Sequence, residues 1–176
     1  TDTLSFKLAT SDVHELKETA RMLAERWHAL GAEVELNIFS ANDLNQTILR
    51  PRKYEALLFG EVVGRDLDFF AFWHSSQRSD PGLNIALYAN IEADSALEKS
   101  RSSLDEESRV KGYTTFLAEI EKDSPALFLY APELLYFIPA HLDGTSFNLL
   151  TSPSDRFLAI HTWYLRTEKV WTLFTH

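Results

Sequence analysis

The sequence predicts an α/β domain in which helices flank a mixed sheet, and three observations carry this prediction. Residues 4–8 and 34–38 alternate apolar with polar side chains, the pattern of strands with one buried face. Between these stretches, apolar residues recur in steps of three and four from residue 13 to residue 30, as on one face of a helix. The 176 residues contain no repeat and no linker rich in Gly, Ser or Pro, so one α/β domain is the economical interpretation.

The first two strands and their helix form the clearest unit. Asp12 and Glu15 have the spacing of a helix N-cap and its capping-box partner, and Gly31 follows the last apolar residue of the helical pattern. A strand, a helix and a second strand in this order predict two parallel strands joined by a right-handed crossover. A shorter helix is expected from about Asn42 to Leu49, ending before Pro51.

The remaining elements follow from apolar runs and capping residues. The run from Tyr54 to Phe59 is too continuously apolar for an edge strand and predicts a central one. Asp94 is expected to cap a helix that runs to about Ser103, and Asp105 a second helix that ends near Asp123. "ALFLY" and "LLYFI" flank the turn "APE" as an antiparallel hairpin, whereas the tail from residue 140 mixes turn residues with short aromatic runs and is assigned no regular element.

Composition and charge exclude several classes of function. Seventeen basic and 26 acidic residues give a formal charge of −9, and the basic residues are scattered, so nucleic acid is not an expected partner. The absence of cysteine excludes thiol catalysis, disulfides and cysteine-ligated zinc. The first residues carry no targeting features and lie close to the first strand, which suggests an excised piece of a longer protein.

The sequence contains no complete catalytic or metal-binding motif. No two of the six histidines stand at helical spacing, so no metal site is predicted, and the sequence points to no cofactor because a phosphate-binding glycine loop is missing. Ser75 and Ser76 stand beside His74, but without the Gly-x-Ser-x-Gly signature of a nucleophile elbow. A small serine hydrolase that uses Ser75 or Ser76 is therefore kept as the alternative to a binding protein that is no enzyme.

The stretch "LDFFAFWHSSQRSDPGLN" is the candidate binding segment. Four aromatic residues at 69, 70, 72 and 73 precede a polar, turn-rich loop, after a strand whose carboxyl end is where ligands of open α/β sheets commonly bind. Trp73 is expected to offer a flat face to a ligand, and hydrogen bonds are expected from His74, Ser75, Ser76, Gln77 and Asn84. Two alternatives stay open: the aromatic side chains pack under the sheet, or the domain binds other proteins and no small ligand.

Several phrases, taken in order, resemble the family 5 extracellular solute-binding proteins of ABC importers, which include oligopeptide, dipeptide and nickel binders. They are "LSFKLATSD", "AERWHALGAEVEL", "RKYEALLFGE", "LDFFAFWHSSQ", "GLNIALYANIEAD", "ESRVKGYTTFLAEIEKDSPALFLYAPELLYFI" and "HLDG". Each phrase is weak by itself, but their order over nearly the whole chain is specific.

The resemblance implies one lobe of a type II periplasmic-binding-protein fold. Residues 1–144 would form the second ligand-binding lobe and residues 145–176 a returning tail that packs on a first lobe absent from this chain. The ligand would be a peptide or another small polar solute, the other partners would be membrane permeases, and the location would be periplasmic or extracellular, with the full-length protein membrane-associated. A surface that faces the first lobe would be left exposed and apolar.

The resemblance also implies a cleft floor at Gly60 and Glu61. Peptide-binding branches carry a "GW..D" segment here, whose Asp pairs with the peptide amino terminus, whereas this chain has Glu61 in place of the Trp and no clean match to that Asp. Glu61 is expected to act as a substitute carboxylate for a cationic group. Asp66 and Asp68 match a following "DPD" phrase, a structural turn.

Overall fold

A computed structural model describes residues 3–63, 68–147 and 150–167 of the protein. Its contacts divide the chain into two compact units, one formed by residues 1–62 and 68–127 and the other by residues 63–67 and 128–176. Each unit is described by itself below. In the described part of the chain, no helix has the length and apolar character needed to cross a bilayer.

The first unit contains a three-stranded parallel sheet. Strand β1 spans Ser5–Ser11, β2 spans Glu33–Phe39 and β3 spans Ala56–Leu57, in the order β2-β1-β3. Helix α1, His14–Ala29, connects β1 to β2, which pair in register from Ser5 opposite Glu33 to Ser11 opposite Phe39. The predicted strand-helix-strand unit with parallel strands is therefore confirmed.

Helix α1 packs against one face of the sheet. Ala20 of the helix forms a buried cluster there with Leu8 of β1 and with Leu58, which follows β3. The start of α1 differs from the prediction, because Val13 is the N-cap and has no side-chain capping bond, so the Asp12–Glu15 capping box is wrong. The backbone N–H of Asp12 donates to the carbonyl of Phe39 at 2.8 Å, which extends the sheet ladder by one residue. Asp12 thus continues the strand pairing and does not cap the helix.

Two further sequence assignments on this sheet need correction. The strand predicted from Tyr54 to Phe59 is short, and among the described strands it lies at the edge while β1 is central. Leu58 is buried but Phe59 is 41% exposed, so the apolar run is not covered on both faces. The helix predicted from residue 42 is a short α-helix, α2 (Ala41–Asp43), continued by a π-helix, Leu44–Leu49, and it ends before Pro51 as expected.

A second layer of the first unit is helical. After the short α3, Phe70–Trp73, come α4, Ile91–Ser102, and α5, Glu106–Asp123, which pack closely on each other. A methyl group added at Gly112 would lie 2.0 Å from the hydroxyl of Ser100, so only glycine allows this approach. The two helices and α3 enclose a second core, of Trp73, Tyr88, Ala93, Ala96, Leu97, Phe116 and Ile120.

The N-cap of α5 is the predicted residue, whereas the N-cap of α4 is not. Asp105 caps α5 by accepting the N–H of Ser108 at 2.9 Å, as predicted. The cap of α4 is Asn90, whose side-chain oxygen accepts from Glu92 and Ala93 at 2.9 and 3.0 Å. Asp94 lies in the first turn of α4, so its prediction as the cap is wrong.

The second unit has little regular structure among its described residues. Strands β4, Leu142–Asp143, and β5, Tyr164–Leu165, pair antiparallel, and two 3-10 turns cover Pro153–Phe157 and Ile160–Thr162. An aromatic cluster holds the unit together, with ring centroids 5.9–6.5 Å apart. Its members are Tyr136, Phe147, Phe157 and Trp163.

The predicted hairpin of "ALFLY" and "LLYFI" does not form, since residues 126–138 contain no strand. An isolated two-stranded hairpin is marginal unless another surface covers one of its faces. Within residues 128–138 the large apolar side chains remain exposed: Phe128, Leu129, Tyr130, Leu134, Leu135, Tyr136, Phe137 and Ile138. We call residues 128–138 the apolar segment.

Candidate functional site

The candidate site is the loop of residues 74–90, which we call the polar loop, between α3 and α4 of the first unit. It begins with a 3-10 turn at Ser75–Gln77, and the N–H of Ser76 donates to Nδ1 of His74 at 3.1 Å. The backbone N–H of Ser75 donates to the carboxylate of Asp94 at 2.9 Å. The sequence "WHSSQ" therefore forms a turn whose first residues are bound to α4.

Asn84 holds the inner side of the polar loop. Its side chain is fully buried, and its amide nitrogen lies 3.0, 3.1 and 3.0 Å from the carbonyl oxygens of Trp73, His74 and Tyr88. Its amide oxygen accepts the N–H of Tyr88 at 3.1 Å. The side chain predicted to bind the ligand directly is thus engaged in organising the loop.

Trp73 is buried and does not present an open face. Only 6% of it is exposed, and its ring packs at 6.1 Å from Phe116 and 6.4 Å from Tyr88. The expectation that Trp73 stacks on a ligand is therefore wrong for this conformation. The partly buried Phe69, Phe70 and Phe72 pack against the same core, so the alternative of core packing is the one observed, against α4 and α5 and not under the sheet.

His74 lies between an aromatic ring and two carboxylates of α4. Its imidazole stacks on Phe70, with ring centroids 4.1 Å apart, and is nearly buried. Nε2 lies 3.3 Å from Oε1 of Glu98 and 3.9 Å from Oδ1 of Asp94, without the alignment of a hydrogen bond. Its contacts make His74 part of the support of the loop.

The two serines differ in what they offer to a ligand. Ser75 is half-buried, whereas Ser76 is exposed, with its hydroxyl 2.8 Å from Nδ1 of His74. The amide of Gln77 also donates to the hydroxyl of Ser76, at 3.0 Å. Ser76 is the predicted site residue of this turn whose side chain is most available from solvent.

Gly60 and Glu61 follow β3 and are exposed. No atom lies within 4 Å of where a side chain at Gly60 would begin, so the backbone is open to a ligand. Although Glu61 keeps an exposed surface, surrounding protein atoms exclude enough water to raise the pKa of its carboxyl group to about 7. The expectation that Glu61 substitutes as a carboxylate for a cationic group stays a prediction.

Of the two aspartates matched to a structural turn, Asp66 lies outside the described residues. Asp68 accepts the N–H of Phe70 at 3.1 Å, at the start of α3, which agrees with a structural role.

Arg52 and Tyr54 contact the polar loop from the segment before β3, and no sequence pattern predicted these contacts. Three nitrogens of the Arg52 guanidinium donate to the carbonyls of Leu49, Arg78 and Gly82 at 2.7, 3.0 and 2.6 Å. The hydroxyl of Tyr54 donates to the carbonyl of Ile85. An arginine after a helix occurs in many structural contexts, so its position in the sequence does not predict contacts with residues about 30 positions away.

The first unit also has an open concavity of about 360 Å³ on its sheet. None of the predicted site residues lines it. Its lining comes from strands β1 and β2 and from residues 48–55, including Lys7, Asn37, Phe39, Arg52 and Tyr54. Among the described residues, no group of three or more His, Asp or Glu side chains is arranged to hold a metal ion.

Known proteins resemble this chain in sequence and in fold. No family model matches the chain. The oligopeptide-binding protein AppA of Bacillus subtilis (strain 168) is 28% identical over 163 residues, which are 92% of this chain and 29% of that protein. The solved structure of Bacillus subtilis AppA in complex with a nonapeptide superposes with a TM-score of 0.70, at 26% identity over 93% of this chain and 32% of the other.

The chain is therefore similar over nearly its whole length to an oligopeptide-binding protein and to its solved structure. The resemblance stated from the sequence is thereby confirmed, and it favours a binding protein over the hydrolase alternative. Two solved structures under 25% identical share the fold: NikZ from Campylobacter jejuni in complex with Ni(L-His), at 21% identity and a TM-score of 0.64, and DppA from Helicobacter pylori in complex with peptide STSA, at 16% and 0.61.

Coverage of the two chains is unequal in each of these comparisons. Over 90% of this chain aligns with NikZ or DppA, but only 33% and 32% of those chains are matched. This chain thus spans about a third of the length of the relatives that it matches.

Proposed function

We propose that this chain contributes one lobe to a solute-binding protein that captures peptides for an ABC importer. The observation that carries the proposal is the match, over more than 90% of the chain, to an oligopeptide-binding protein and to its structure with a nonapeptide. Residues 1–144 would form the second lobe and residues 145–176 the returning tail. The full-length protein would be periplasmic or extracellular and membrane-associated, and it would deliver its solute to permease subunits.

The polar loop and the end of β3 are the proposed contribution of this lobe to the binding cleft. Ser76 is an exposed residue whose hydroxyl also contacts His74 and Gln77, Gly60 offers an open backbone, and Glu61 offers a carboxyl group whose pKa is raised to about 7. Ser75, His74, Trp73 and Asn84 support this surface from behind. Such a site selects ligands by the affinity difference between open and closed states and needs no reactive group.

The apolar segment is the proposed contact with the rest of the full-length protein. Contiguous exposed apolar side chains of this number commonly mark an interface. Since relatives are about three times as long as this chain, the absent part of the protein is the expected cover.

The proposal is tested by thermal unfolding of the full-length protein in the presence of separate pools of dipeptides, tripeptides, nonapeptides, sugars and Ni(L-His). Binding to the folded state raises the melting temperature. We expect a rise with at least one peptide pool and none with the sugars. A rise with Ni(L-His) alone would replace peptide by a metal chelate, and no rise with any pool would contradict the proposal.

The contribution of the loop is tested with Ser76→Ala and with Ser102→Ala as a matched control on the exposed end of α4. Ser76→Ala should weaken binding of the selected peptide and Ser102→Ala should not. Equal affinities of both variants and the wild type would show that Ser76 makes no ligand contact.

A further inference from the structure

The polar loop is bound from two sides, and on its outer side Arg52 makes two hydrogen bonds to it and Tyr54 one. Asn84 binds the loop to the helical core, as described above. On the outer side, Nε and Nη2 of Arg52 donate to the carbonyls of Arg78 and Gly82, at 3.0 and 2.6 Å. Nη1 donates to the carbonyl of Leu49 at 2.7 Å and so anchors the guanidinium group to the end of the π-helix.

The backbone conformation of Arg52 is unfavourable for most residues other than glycine, which indicates that the arginine side chain has a specific role in the structure. Its φ angle is 54°, in the left-handed region that L residues rarely adopt and glycine adopts readily. Glycine would therefore suit the backbone better than arginine at this position. Only arginine, however, offers a planar fork of donors that can bind three carbonyl oxygens at once.

The loop is shaped to receive this fork. A side chain at Gly82 would begin 2.2 Å from the carbonyl oxygen of Gln77, so residues 77–82 close into a tight turn that requires glycine. The turn brings the carbonyls of Arg78 and Gly82 to the same guanidinium group. Ser79 and Asp80 remain exposed on this turn, and Ser76 is exposed just before it.

Another contact between the same two segments is weaker. Arg50 lies 3.4 Å from Asp80, but both side chains are about half exposed, at 53% and 46%. Exposed ion pairs of this kind contribute little, because water screens the charges and the flexible side chains lose entropy. Arg50 is therefore a matched control: it has the same charge, it is a near neighbour of Arg52 and it contacts the same loop.

We propose that Arg52 is a positioning residue that holds the polar loop in its ligand-competent shape. The inference rests on the proposed function, because it assumes that this loop lines the cleft. If only a fraction of the molecules has the competent loop, the apparent dissociation constant rises by the inverse of that fraction. Loss of Arg52 that leaves about one molecule in ten competent would weaken binding about ten-fold.

The first experiment measures hydrogen exchange in the ligand-free, full-length protein. Arg52→Gln removes the charge and most donors, whereas Arg52→Gly also relieves the left-handed backbone and so guards against failure to fold. We expect faster exchange over residues 78–85 in both variants and no change in Arg50→Gln. Unchanged exchange in both Arg52 variants would overturn the proposal.

The second experiment measures binding of the nonapeptide that the wild type selects most tightly from a randomised library. We expect about ten-fold weaker affinity for both Arg52 variants, mainly through slower association, and less than two-fold change for Arg50→Gln. A purely structural role would lower the melting temperature but leave the affinity of the folded protein unchanged, and that result would overturn the proposal. The proposed function would then still stand, whereas a wild type that binds no peptide would refute both.

Discussion

Replacing Asn84 by alanine should destabilise the protein more than replacement of any exposed asparagine. The side chain is fully buried; its two amide hydrogens are shared among three backbone carbonyl oxygens, and its amide oxygen accepts one backbone N–H, which gives four contacts at hydrogen-bonding distance. At about 1 kcal/mol net for each bond, their loss lowers the free energy of unfolding by about 4 kcal/mol. Shared donors and relaxation of the loop reduce this value, so we expect about 3 kcal/mol.

The assay is urea unfolding followed by tryptophan fluorescence, because Trp73 lies beside the bonds that are lost. Asn45→Ala is the control, since Asn45 is exposed, and its effect should stay within about 0.5 kcal/mol. A decrease below about 1 kcal/mol for Asn84→Ala would refute the inference that this side chain organises the loop.

Three other predictions concern pH, ligand affinity and association. The pKa of Glu61 is raised from 4.5 to about 7, so its contribution to stability is fully present below pH 4.5 and is lost as the pH rises through 7. Glu61→Gln should therefore flatten the pH dependence of the free energy of unfolding between these pH values. An unchanged pH profile would contradict the raised pKa. The 176-residue chain by itself should bind peptides at millimolar concentrations or not at all by calorimetry, because the contacts of the other lobe are missing, whereas micromolar binding would contradict the two-lobe proposal. The apolar segment should make the isolated chain self-associate in analytical ultracentrifugation. The combined changes Leu135→Lys and Phe137→Lys should reduce self-association more than the control Leu104→Lys, which alters a fully exposed leucine outside the segment. Equal effects of the two would refute the role of the apolar segment in association.

Much of the fold could be predicted from the sequence, because local periodicity determines it. The alternation in β1 and β2 and the apolar stripe of α1 gave the parallel strand-helix-strand unit. The predictions were wrong where contacts between residues distant in the sequence determine the local structure. Asp12, for example, hydrogen-bonds to Phe39 of β2 and does not cap α1. The apolar segment was predicted as a hairpin because its composition favours strands, but its pairing depends on a covering surface.

The sequence suggested a candidate site, but it could not assign roles to the residues of that site. Trp73 and Asn84 were both predicted to contact a ligand, yet both side chains are buried. Aromatic and amide side chains occur both in cores and in binding sites, so their type alone does not separate these roles. Arg52 was missed because its effect depends on a left-handed backbone and on carbonyls far away in the sequence.

The most direct test of the central claim, that the polar loop lines a peptide-binding cleft, is hydrogen exchange of the full-length protein with and without its selected nonapeptide. We expect peptide to slow exchange over residues 74–90 and around Gly60 and Glu61, with little change in α5. Protection confined to the rest of the protein, with the polar loop unchanged, would contradict the account.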